Sequence, residues 1–286
     1  MSYRFDGRVA VVTGAGRGIG RAYALLLAER GASVVVNDID AEPASAVAEE
    51  TGGVADSHDV ASAGGANALI GTALERFGRL DVLINNAGII RWAGMPKVDE
   101  ENLAAHLDVH LGGSFNTTRA AWPHMVEQGY GRIIMTTSSG LFGLPNNTSY
   151  AAAKGAVIGL ARSLATAGAD HGIKVNLIAP GAFTRMGGRG DAPPGMEPDL
   201  VAPMAAFLAH EDCPVTGEIY SAGFGRFARM FIAQTEGYVH TGVGSGPTIE
   251  DVAEHWKAIS DETGYYVPPD LTEWSAKFMG HLEKKD

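Results

Sequence analysis

The chain has 286 residues, 45% of them hydrophobic, and a formal net charge of −11. This length fits one large or two small domains, and the acidic balance argues against a nucleic-acid-binding surface. Cys213 is the one cysteine, which excludes an intrachain disulfide and a thiolate metal cluster. The start lacks a signal-peptide pattern and no apolar run is long enough to cross a bilayer, so we expect a cytoplasmic protein without a membrane partner.

The first predicted elements are a strand at Val9–Val12 and an amphipathic helix at Gly20–Arg30, joined by the glycine-rich turn TGAGRGIG. Glycine at positions Gly14, Gly18 and Gly20 lets the backbone turn tightly and bring its N–H groups against a pyrophosphate, where a Cβ would keep the phosphates away. The flanking strand and helix are the context that a dinucleotide-binding motif requires. The turn therefore predicts a phosphate-binding loop.

The second predicted strand, Ser33–Asn37, leads directly into Asp38. A carboxylate about twenty residues beyond the glycine turn can accept hydrogen bonds from the adenosine ribose hydroxyls and repels a 2′-phosphate, which favours NAD over NADP. Arg17, within the turn, points the other way because its guanidinium could pair with a 2′-phosphate. We give Asp38 more weight, and the predicted cofactor is NAD.

Alternating helices and strands follow: a helix at Ala41–Thr51, a strand at Val54–Val60, a helix at Ala66–Phe77 and a strand at Leu80–Ile84. This alternation is typical of a parallel sheet covered by helices. Asp59 would lie at a strand end beside the adenine. The sequence NNAG at Asn85–Gly88 follows a buried strand, and its small and amide residues suit a backbone that approaches a ligand closely.

Val98–Val126 predicts a long helix with an irregular middle at Gly112 and Gly113. His106 and His110 lie four positions apart in it and would share a face. Two histidines at this spacing can ligate a metal, but no glutamate-containing zinc motif accompanies them. We therefore favour a structural role and predict no metal site.

The predicted strand Gly131–Met135 runs into hydroxyl-bearing residues, and a helix follows that begins with Tyr150 and continues through Gly155–Ala169. Tyr150 and Lys154 are one helical turn apart, so both side chains can reach the same site. An ammonium close to a phenol favours the phenolate and lowers its pKa from about 10. The pair is therefore a candidate general acid/base.

The last predicted elements are strands at Lys174–Ile178 and Gly217–Ser221, a Gly/Pro-rich mobile loop between Thr184 and Leu200, and a helical segment at Pro247–Thr263 capped by Thr248. We divide the chain into a catalytic domain, residues 1–225, and a C-terminal extension, residues 226–286. The extension is expected to lie over the substrate mouth or against a neighbouring subunit.

The motifs TGAGRGIG, NNAG, the serine-bearing strand end near Ser138, YAAAK and PGAFT, in this order, resemble the short-chain dehydrogenase/reductase family over residues 5–223. The resemblance implies an α/β fold with a Rossmann-type doubly wound parallel sheet, a single domain with a helical C-terminal extension. It also implies hydride transfer between C4 of the nicotinamide and a carbinol or carbonyl carbon. Tyr150 would be the acid/base and would take up the alcohol proton. Lys154 would bind the ribose and lower the tyrosine's pKa, Ser138 would bind the substrate oxygen, and Thr184 would hold the carboxamide.

The catalytic residues predicted in this way are Ser138, Tyr150, Lys154 and His110. The predicted cofactor site comprises Gly14, Arg17, Gly18, Ile19, Gly20, Asp38, Asp59, Val60, Asn86, Ala87, Gly88, Tyr150, Lys154, Pro180, Gly181 and Thr184. The resemblance further implies a small-molecule substrate and a homodimer or homotetramer.

Two positions depart from the family pattern. His110 stands where the family usually has an asparagine that supports a proton relay, and an imidazole can also relay protons. This histidine and its surroundings resemble the dehydrogenase modules of peroxisomal multifunctional enzyme type 2 and their bacterial single-domain relatives. Those modules act on (3R)-hydroxyacyl-CoA or 17-beta-hydroxysteroids, generally with NAD.

The second departure is a connection from serine to tyrosine that is one residue shorter than usual. Counting forward from Gly131–Met135 selects Ser138 as the catalytic hydroxyl, whereas counting back from Tyr150 selects Thr137. Because GLFG at Gly140–Gly143 keeps its distance to Tyr150, the gap falls after Ser138, and we favour Ser138 with Thr137 as the alternative.

Three functions remain in competition. The first is an NAD-dependent dehydrogenase for a secondary alcohol on an acyl-CoA or steroid-like substrate. The second is an NADPH-dependent 3-oxoacyl reductase, which Arg17 favours and Asp38 opposes. The third is an NAD-binding sensor or scaffold without catalysis, which the shortened connection and His110 keep open and which Tyr150 and Lys154 oppose.

Overall fold

A computed structural model describes residues 3–186, 188, 190–241 and 246–282. Its centre is a sheet of eight strands in the order β3-β2-β1-β4-β5-β6-β7-β8. The strands are β1 Val9–Thr13, β2 Ser33–Asn37, β3 Val54–Asp56, β4 Val82–Asn85, β5 Gly131–Thr136, β6 Ile173–Gly181, β7 Ile219–Gly223 and β8 Arg226–Met230. Every pairing from β3 to β7 is parallel.

Helices connect these strands. They are α1 Gly18–Glu29, α2 Ala41–Thr51, α3 Ala63–Phe77, α4 Glu100–His106, α5 Gly113–Gln128, α6 Thr148–Gly168, α7 Ala202–Ala209, α8 Ile249–Glu254, α9 Trp256–Ile259 and α10 Leu271–Met279. A π-helical turn, Leu107–Gly112, joins α4 to α5. None of the helices in the described part of the chain has the length and hydrophobicity that a membrane crossing needs.

The order in which successive strands are added to the sheet reverses at the boundary between β1 and β4. Strands β2 and β3 are added on one side of β1, and β4 to β7 on the other. The interior strands β1, β4 and β5 are fully buried, as expected when helices cover both faces of a parallel sheet. In such sheets, ligands bind beyond the carboxyl ends of the strands where the order reverses.

The predicted fold class is confirmed: the molecule has a mostly parallel, doubly wound α/β sheet with helices at its C-terminal end. The predicted strand Val54–Val60 is wrong beyond Asp56. The carboxylate of Asp56 accepts hydrogen bonds from the Asn37 side chain and from the His58 backbone, so the chain turns immediately after the strand. Helix α7 and strand β8 were not among the predicted elements.

The predicted long helix at Val98–Val126 is interrupted in a different way from the one expected. It begins at Glu100, and its irregular part is the π-helical turn, which ends at Gly112 rather than being centred on the glycine pair. The predicted C-terminal helix at Pro247–Thr263 is two short helices, α8 and α9. Its capping prediction is confirmed, because Thr248 and Asp251 form a reciprocal capping box.

The amino edge of the sheet carries a cluster of ion pairs around Asp81, which is fully buried. Its carboxylate accepts hydrogen bonds from Arg8 and Arg79 and from the backbone N–H of Val9. The ring of Tyr130 lies between two guanidinium groups, with Arg8 Cζ 3.9 Å and Arg132 Cζ 4.3 Å from its centroid. These contacts join the starts of β1, β4 and β5.

The structure divides into two compact units, Met1–Arg229 and Met230–Asp286. The first unit contains the glycine-rich turn, Tyr150 and Lys154. In the second unit, Gln234 and Tyr266 are joined by backbone hydrogen bonds in both directions, and Trp274 packs on Phe278 with ring centroids 4.8 Å apart.

Candidate active site

The glycine-rich turn after β1 is packed so closely that side chains are excluded from it. Gly14 has φ +61°, and a Cβ on it would lie 2.8 Å from Cα of Ala87. A Cβ on Gly20 would collide with the carbonyl oxygen of Gly14. Gly18 also has a positive φ, +54°, which only glycine adopts without strain. The turn thus forms a cradle of bare backbone at the point where the sheet order reverses.

Helix α1 begins at this turn without a side-chain cap. Its N-cap residue, Arg17, makes no capping hydrogen bond, and the first intrahelical bond is from the N–H of Arg21 to the carbonyl of Arg17. The N–H groups of Gly18, Ile19 and Gly20 therefore have no acceptor among the described residues. Uncapped amides at a helix N-terminus, next to a Cβ-free cradle, fit the pyrophosphate of a dinucleotide.

The end of β4 is tied to the turn through Asn86. Its side-chain amide donates to the carbonyl oxygens of Thr13 and Gly14, at 3.0 and 3.1 Å. The Thr13 hydroxyl accepts in return from the backbone N–H groups of Asn86 and Ala87. These bonds explain why NNAG follows β4, and they make Thr13 a contributor that the sequence analysis did not single out.

Asp38 lies against the turn at the end of β2, as predicted from its position. One carboxylate oxygen accepts from the N–H of Gly16 at 3.0 Å, and the other accepts from the N–H of Asp40. A Cβ on Gly16 would lie 2.8 Å from that first oxygen, which explains the additional glycine in the motif. Arg17, the group that favoured NADP, pairs with Asp40 at 2.6 Å.

Asp59 and Val60 lie in a turn between β3 and α3 rather than at a strand end. The Asp59 carboxylate is exposed and accepts from the N–H of Ala61. Val60 is buried, and its methyl group would lie 3.2 Å from a Cβ on Gly113. Asn116 donates to the carbonyl oxygens of Val60 and Ala61, so α5 holds this turn in place.

At the carboxyl end of the neighbouring strands, Tyr150 and Lys154 project from the first turns of α6. Lys154 is 3% exposed, and its Nζ donates to the carbonyl oxygen of Thr136 at 2.8 Å. The same Nζ lies 5.7 Å from the centroid of the Tyr150 ring. The hydroxyl of Ser138 is near enough to the phenol of Tyr150 to lower the pKa of that group. The structure therefore brings the phenol, the ammonium and a serine hydroxyl together.

The two candidate hydroxyls, Ser138 and Thr137, have different environments. Thr137 is fully buried, and its hydroxyl donates to the carbonyl oxygen of Lys154 at 2.9 Å. That bond ties the end of β5 to α6 and already uses the proton of the Thr137 hydroxyl. Ser138 accepts from the N–H of Gly140, and its hydroxyl is near enough to the phenol to lower the pKa of Tyr150. The arrangement favours Ser138 as the hydroxyl that meets a substrate oxygen.

The pKa values in the protein alone differ from the sequence-based expectation. Burial raises the pKa of Tyr150, and the nearby hydroxyl of Ser138 only partly offsets this effect. Burial also lowers the pKa of Lys154 to about 7. The expected lowering of the tyrosine's pKa by the lysine is therefore wrong for the protein alone, because removing both groups from water disfavours both charges.

His110 is buried in the π-helical turn beside Tyr150. Its Nε2 donates to the carbonyl oxygen of Ile89 at 2.8 Å, and its ring meets the Tyr150 ring edge-on at 5.3 Å. A Cβ on Gly88 would lie 2.5 Å from the imidazole, so only glycine leaves room for this ring. Burial and the nearby charge of Lys154 lower the pKa of His110 to about 2, and the imidazole is neutral.

The remaining predicted cofactor residues lie at the end of β6 and just beyond it. Pro180 and Gly181 are the last residues of that strand, and a Cβ on Gly181 would contact the ring of Phe224. Thr184 faces the start of α1, because its methyl group would lie 3.7 Å from a Cβ on Gly18. Two positions of the predicted mobile loop, 187 and 189, lie outside the described residues.

Comparison with known proteins agrees with this architecture. A family model for short chain dehydrogenase matches residues 8–189. Peroxisomal multifunctional enzyme type 2 of Mus musculus is 39% identical over 300 residues, covering 99% of this chain and 40% of the mouse protein. The structure of full-length peroxisomal multifunctional enzyme type 2 from Drosophila melanogaster matches with a TM-score of 0.83 at 38% identity, covering 98% of this chain and 50% of that chain.

A third match is the structure of a 7 alpha-hydroxysteroid dehydrogenase complexed with NADH and 7-oxo glycochenodeoxycholic acid. It has a TM-score of 0.72 at 32% identity and covers 78% of this chain and 96% of that chain. The chain thus spans half or less of the mouse and fly enzymes but nearly the whole length of the hydroxysteroid dehydrogenase. Since the family model covers more than half of the sequence, and the hydroxysteroid dehydrogenase is 32% identical with 96% of its length covered, the chain belongs to the short-chain dehydrogenase family and is an oxidoreductase.

Proposed function

We propose that the chain is an NAD-dependent oxidoreductase that interconverts a secondary alcohol and a ketone on an acyl-CoA or steroid-like substrate, with Tyr150 as the acid/base. The observation that carries this proposal is the group of Ser138, Tyr150 and Lys154 at the carboxyl edge of the sheet. The Cβ-free cradle and the uncapped start of α1 lie at that same edge. Their common position supports a proton-transfer site next to a dinucleotide site.

Bound NAD would supply the hydride acceptor at C4 of its nicotinamide, and the chain's own residues handle the proton. Ser138 orients the substrate oxygen, and Tyr150 exchanges a proton with it. Because burial raises the pKa of Tyr150, its protonated form is ready to donate to a ketone. Oxidation needs the phenolate, so its rate should rise with increasing pH. Lys154 stabilises the phenolate electrostatically when its ammonium is charged.

The preference for NAD follows from the charges around the glycine-rich turn. Asp38 places a carboxylate where the adenosine ribose of a dinucleotide would lie, and a 2′-phosphate there would be repelled. Arg17, the one side chain of the turn that could attract that phosphate, is paired with Asp40. These contacts favour NAD and disfavour the alternative of an NADPH-dependent 3-oxoacyl reductase.

An apolar substrate is supported by the two segments that follow β4 and β5. Large hydrophobic side chains are exposed on both: Trp92, Met95, Phe142 and Leu144. The segments are joined by a bridge between Ala93 and Asn147, and the N–H of Thr148 donates to the carbonyl oxygen of Ala93. Exposed hydrophobic groups on two joined segments at the carboxyl edge of the sheet are suited to an acyl chain or a sterol.

Oxidation of (3R)-hydroxydecanoyl-CoA and of 17-beta-oestradiol, followed by the absorbance of NADH, tests this proposal. We expect turnover of at least one of them, with NAD preferred over NADP by at least tenfold in kcat/KM and a rate that increases with pH. Tyr150→Phe should reduce kcat by about 10³-fold or more, because the proton acceptor is removed. A strong preference for NADP would contradict the cofactor assignment.

Tyr130→Phe is the matched control, because Tyr130 lies at the opposite edge of the sheet and its ring packing is kept. Its turnover should equal that of the unmodified protein. If Tyr150→Phe turned over as fast as this control, Tyr150 would not be the acid/base. If neither substrate were oxidised although NAD binding could be measured, a non-catalytic NAD-binding protein would become the better description.

We also propose a homodimer or homotetramer. Leu103 on α4 and Phe115 on α5 are exposed large hydrophobic residues of the first unit, which supports a contact between subunits along these helices. Light scattering coupled to gel filtration measures the mass directly, and a monomeric mass at micromolar concentration would rule the assembly out.

A further inference from the structure

Asn102, His106 and His110 form a row along α4 and the π-helical turn, four positions apart, which we call the clamp row. Each of the three binds the backbone of the segment Ile89–Arg91, which follows β4 and belongs to no strand. Asn102 Nδ2 donates to the carbonyl oxygen of Arg91 at 3.0 Å. The N–H of Arg91 donates to Nε2 of His106 at 3.2 Å, and Nε2 of His110 donates to the carbonyl oxygen of Ile89.

The two imidazoles carry their protons on different nitrogens. His106 Nδ1 lies 2.7 Å from the carbonyl oxygen of Asn102, which can only accept, so Nδ1 is the donor and Nε2 accepts from Arg91. In His110 the Nε2 lies 2.8 Å from the carbonyl oxygen of Ile89 and 3.3 Å from the N–H of the same residue, and the shorter contact, to a group that can only accept, makes Nε2 the donor. The buried Nδ1 of His110 has no hydrogen-bond partner among the described residues. The rings are stacked, with centroids 5.9 Å apart. His106 thus uses both nitrogens, one towards its own helix and one towards Arg91.

The π-helical turn allows the row to face one segment of backbone. In a regular α-helix of 3.6 residues per turn, side chains spaced four apart move progressively around the axis. In a π-helical turn the hydrogen bonds connect residues five apart, so each residue advances by a smaller angle around the axis. Side chains spaced four apart there rotate in the opposite sense and compensate for the displacement in the α-helix. His110, which lies in that turn, therefore stays in line with Asn102 and His106, which lie in α4.

The clamp row also contacts the predicted catalytic phenol. The rings of His106 and His110 both meet the Tyr150 ring edge-on, with centroids 6.2 and 5.3 Å away. His106 is fully buried, so these contacts are shielded from solvent. The segment that it holds lies between Gly88, beside the dinucleotide cradle, and Trp92, on the apolar segment. His106 thereby connects the wall of the pocket to the ring of the acid/base.

We propose that His106 is a positioning residue, which sets the distance between the phenol of Tyr150 and a bound substrate by holding the backbone of Arg91. The proposal rests on the function proposed above, in which Tyr150 transfers the proton. Misplacing reacting groups by about 1 Å can cost about 10²-fold in rate, so loss of this bond should be measurable. The cofactor side of the segment is held independently by Asn86.

Two substitutions separate the bonds of His106. In H106Q, the glutamine amide reaches the position of Nε2 and can accept from Arg91, while the bond to Asn102 is lost. In H106N, the shorter amide reaches the position of Nδ1 and can keep the bond to Asn102, while the bond to Arg91 is lost. D108N is the control, because Asp108 is exposed and lies between the two histidines in sequence.

Steady-state kinetics with (3R)-hydroxydecanoyl-CoA and NAD, together with the Tm of each variant, test the proposal. H106N should lose about tenfold or more in kcat/KM for the substrate while its KM for NAD stays within about twofold. H106Q should recover most of that loss, and D108N should behave like the unmodified protein. An unchanged kcat/KM in H106N, or equal losses in both histidine variants that follow their Tm, would overturn the proposal.

Tyr150→Phe, measured in the same assay, separates this inference from the proposed function. If Tyr150→Phe is inactive and H106N is unaffected, only the role of His106 is wrong. If Tyr150→Phe retains full turnover, the proposed function fails, and the role of His106 fails with it because the phenol that it would position does not react.

Discussion

Burying Lys154 opposes folding, and we propose that this cost is accepted because the lysine assists the proton transfer by Tyr150. The side chain is 3% exposed and its Nζ has the carbonyl oxygen of Thr136 as partner, with no carboxylate among its described contacts. Burial lowers its pKa from 10.5 to about 7, so the folded state disfavours the charged ammonium. The unfolded chain keeps its proton up to about pH 10. This difference in proton uptake makes the folding free energy depend on pH.

Lys154→Met should therefore make the protein more stable at pH 7, by about 2–4 kcal/mol, while it abolishes turnover. The penalty from Lys154 is fully present below pH 7 and disappears as the pH rises towards 10.5, so the difference should shrink at pH 9.5. Urea unfolding at both pH values measures the difference in unfolding free energy between Lys154→Met and the unmodified protein. Lys97→Met, at an exposed lysine, is the control and should shift stability by less than about 0.5 kcal/mol. A variant less stable at pH 7 would contradict this prediction.

For single residues, the sequence patterns predicted which side chains share a site more readily than which groups each side chain contacts. The spacing of Tyr150 and Lys154 indicated a common site, and the structure brings them together. The contacts of His106 were not predictable, because they depend on a backbone segment fifteen positions earlier and on an unforeseen π-helical turn. The choice between Ser138 and Thr137 stayed open for a similar reason: only the packing of β5 on α6 shows which hydroxyl is already bonded to backbone.

The turn between β1 and α1 is the element whose sequence and structure agree most directly. Each glycine that the motif analysis emphasised has either a positive φ or a neighbour too close for a Cβ. Gly16, which the analysis left without a role, is explained by the approach of Asp38. Its N–H must reach the carboxylate, and a side chain there would block that contact. Such motifs are predictable because their constraint is local and steric.

Two glycine-to-alanine substitutions test this steric argument within helices. Gly20→Ala places a Cβ against the carbonyl oxygen of Gly14, so the turn must shift. We expect a loss of about 1–3 kcal/mol in unfolding free energy and at least tenfold weaker NAD binding. Gly71→Ala in α3 meets no atom within 4 Å and should stabilise by about 0.5–1 kcal/mol through helix propensity. Urea unfolding and isothermal calorimetry with NAD measure both. Equal NAD affinity in the two variants would contradict the proposal that the glycine-rich turn binds the pyrophosphate of NAD.

For the whole molecule, the alternation of strands and helices predicted a parallel sheet covered by helices, and the family resemblance implied its doubly wound order. Short apolar runs separated by amphipathic stretches have few arrangements other than a covered parallel sheet. One element of the sheet that could not be predicted lies at its end. β8 is connected to β7 by Phe224 and Gly225, both with positive φ, and its side chains are largely exposed. Because phenylalanine rarely adopts this conformation, neither the turn nor the strand could be predicted from the sequence.

The charge cluster at the amino edge should contribute to global stability and not to catalysis. Burial alone would raise the pKa of Asp81, but hydrogen bonds from Arg79, Val9 and Arg8 outweigh it, and the pKa is lowered. Asp81→Asn should cost about 2–4 kcal/mol at pH 7, because two guanidinium groups lose their shared carboxylate. Its kcat should be unchanged.

The sign of the pH dependence follows from the lowered pKa of Asp81. Its contribution is complete above the unfolded pKa near 4 and is lost as the pH falls through the folded value. The difference in stability between the unmodified protein and Asp81→Asn should therefore be constant from pH 7 to pH 5 and decrease below pH 4. Urea unfolding across this range, with turnover measured alongside, checks both statements. A loss of turnover without a loss of stability would refute them.

The position of the Asp81 cluster affects which mutations this enzyme can tolerate. Charged groups that hold β1, β4 and β5 together lie at one edge of the sheet, and the groups proposed to react lie at the other. Mutations that strengthen the first edge can compensate for destabilising changes at the second, without touching a substrate. Mutations in the segments after β4 and β5 can therefore change the substrate specificity that we propose, while the charge cluster at the amino edge maintains the stability of the fold.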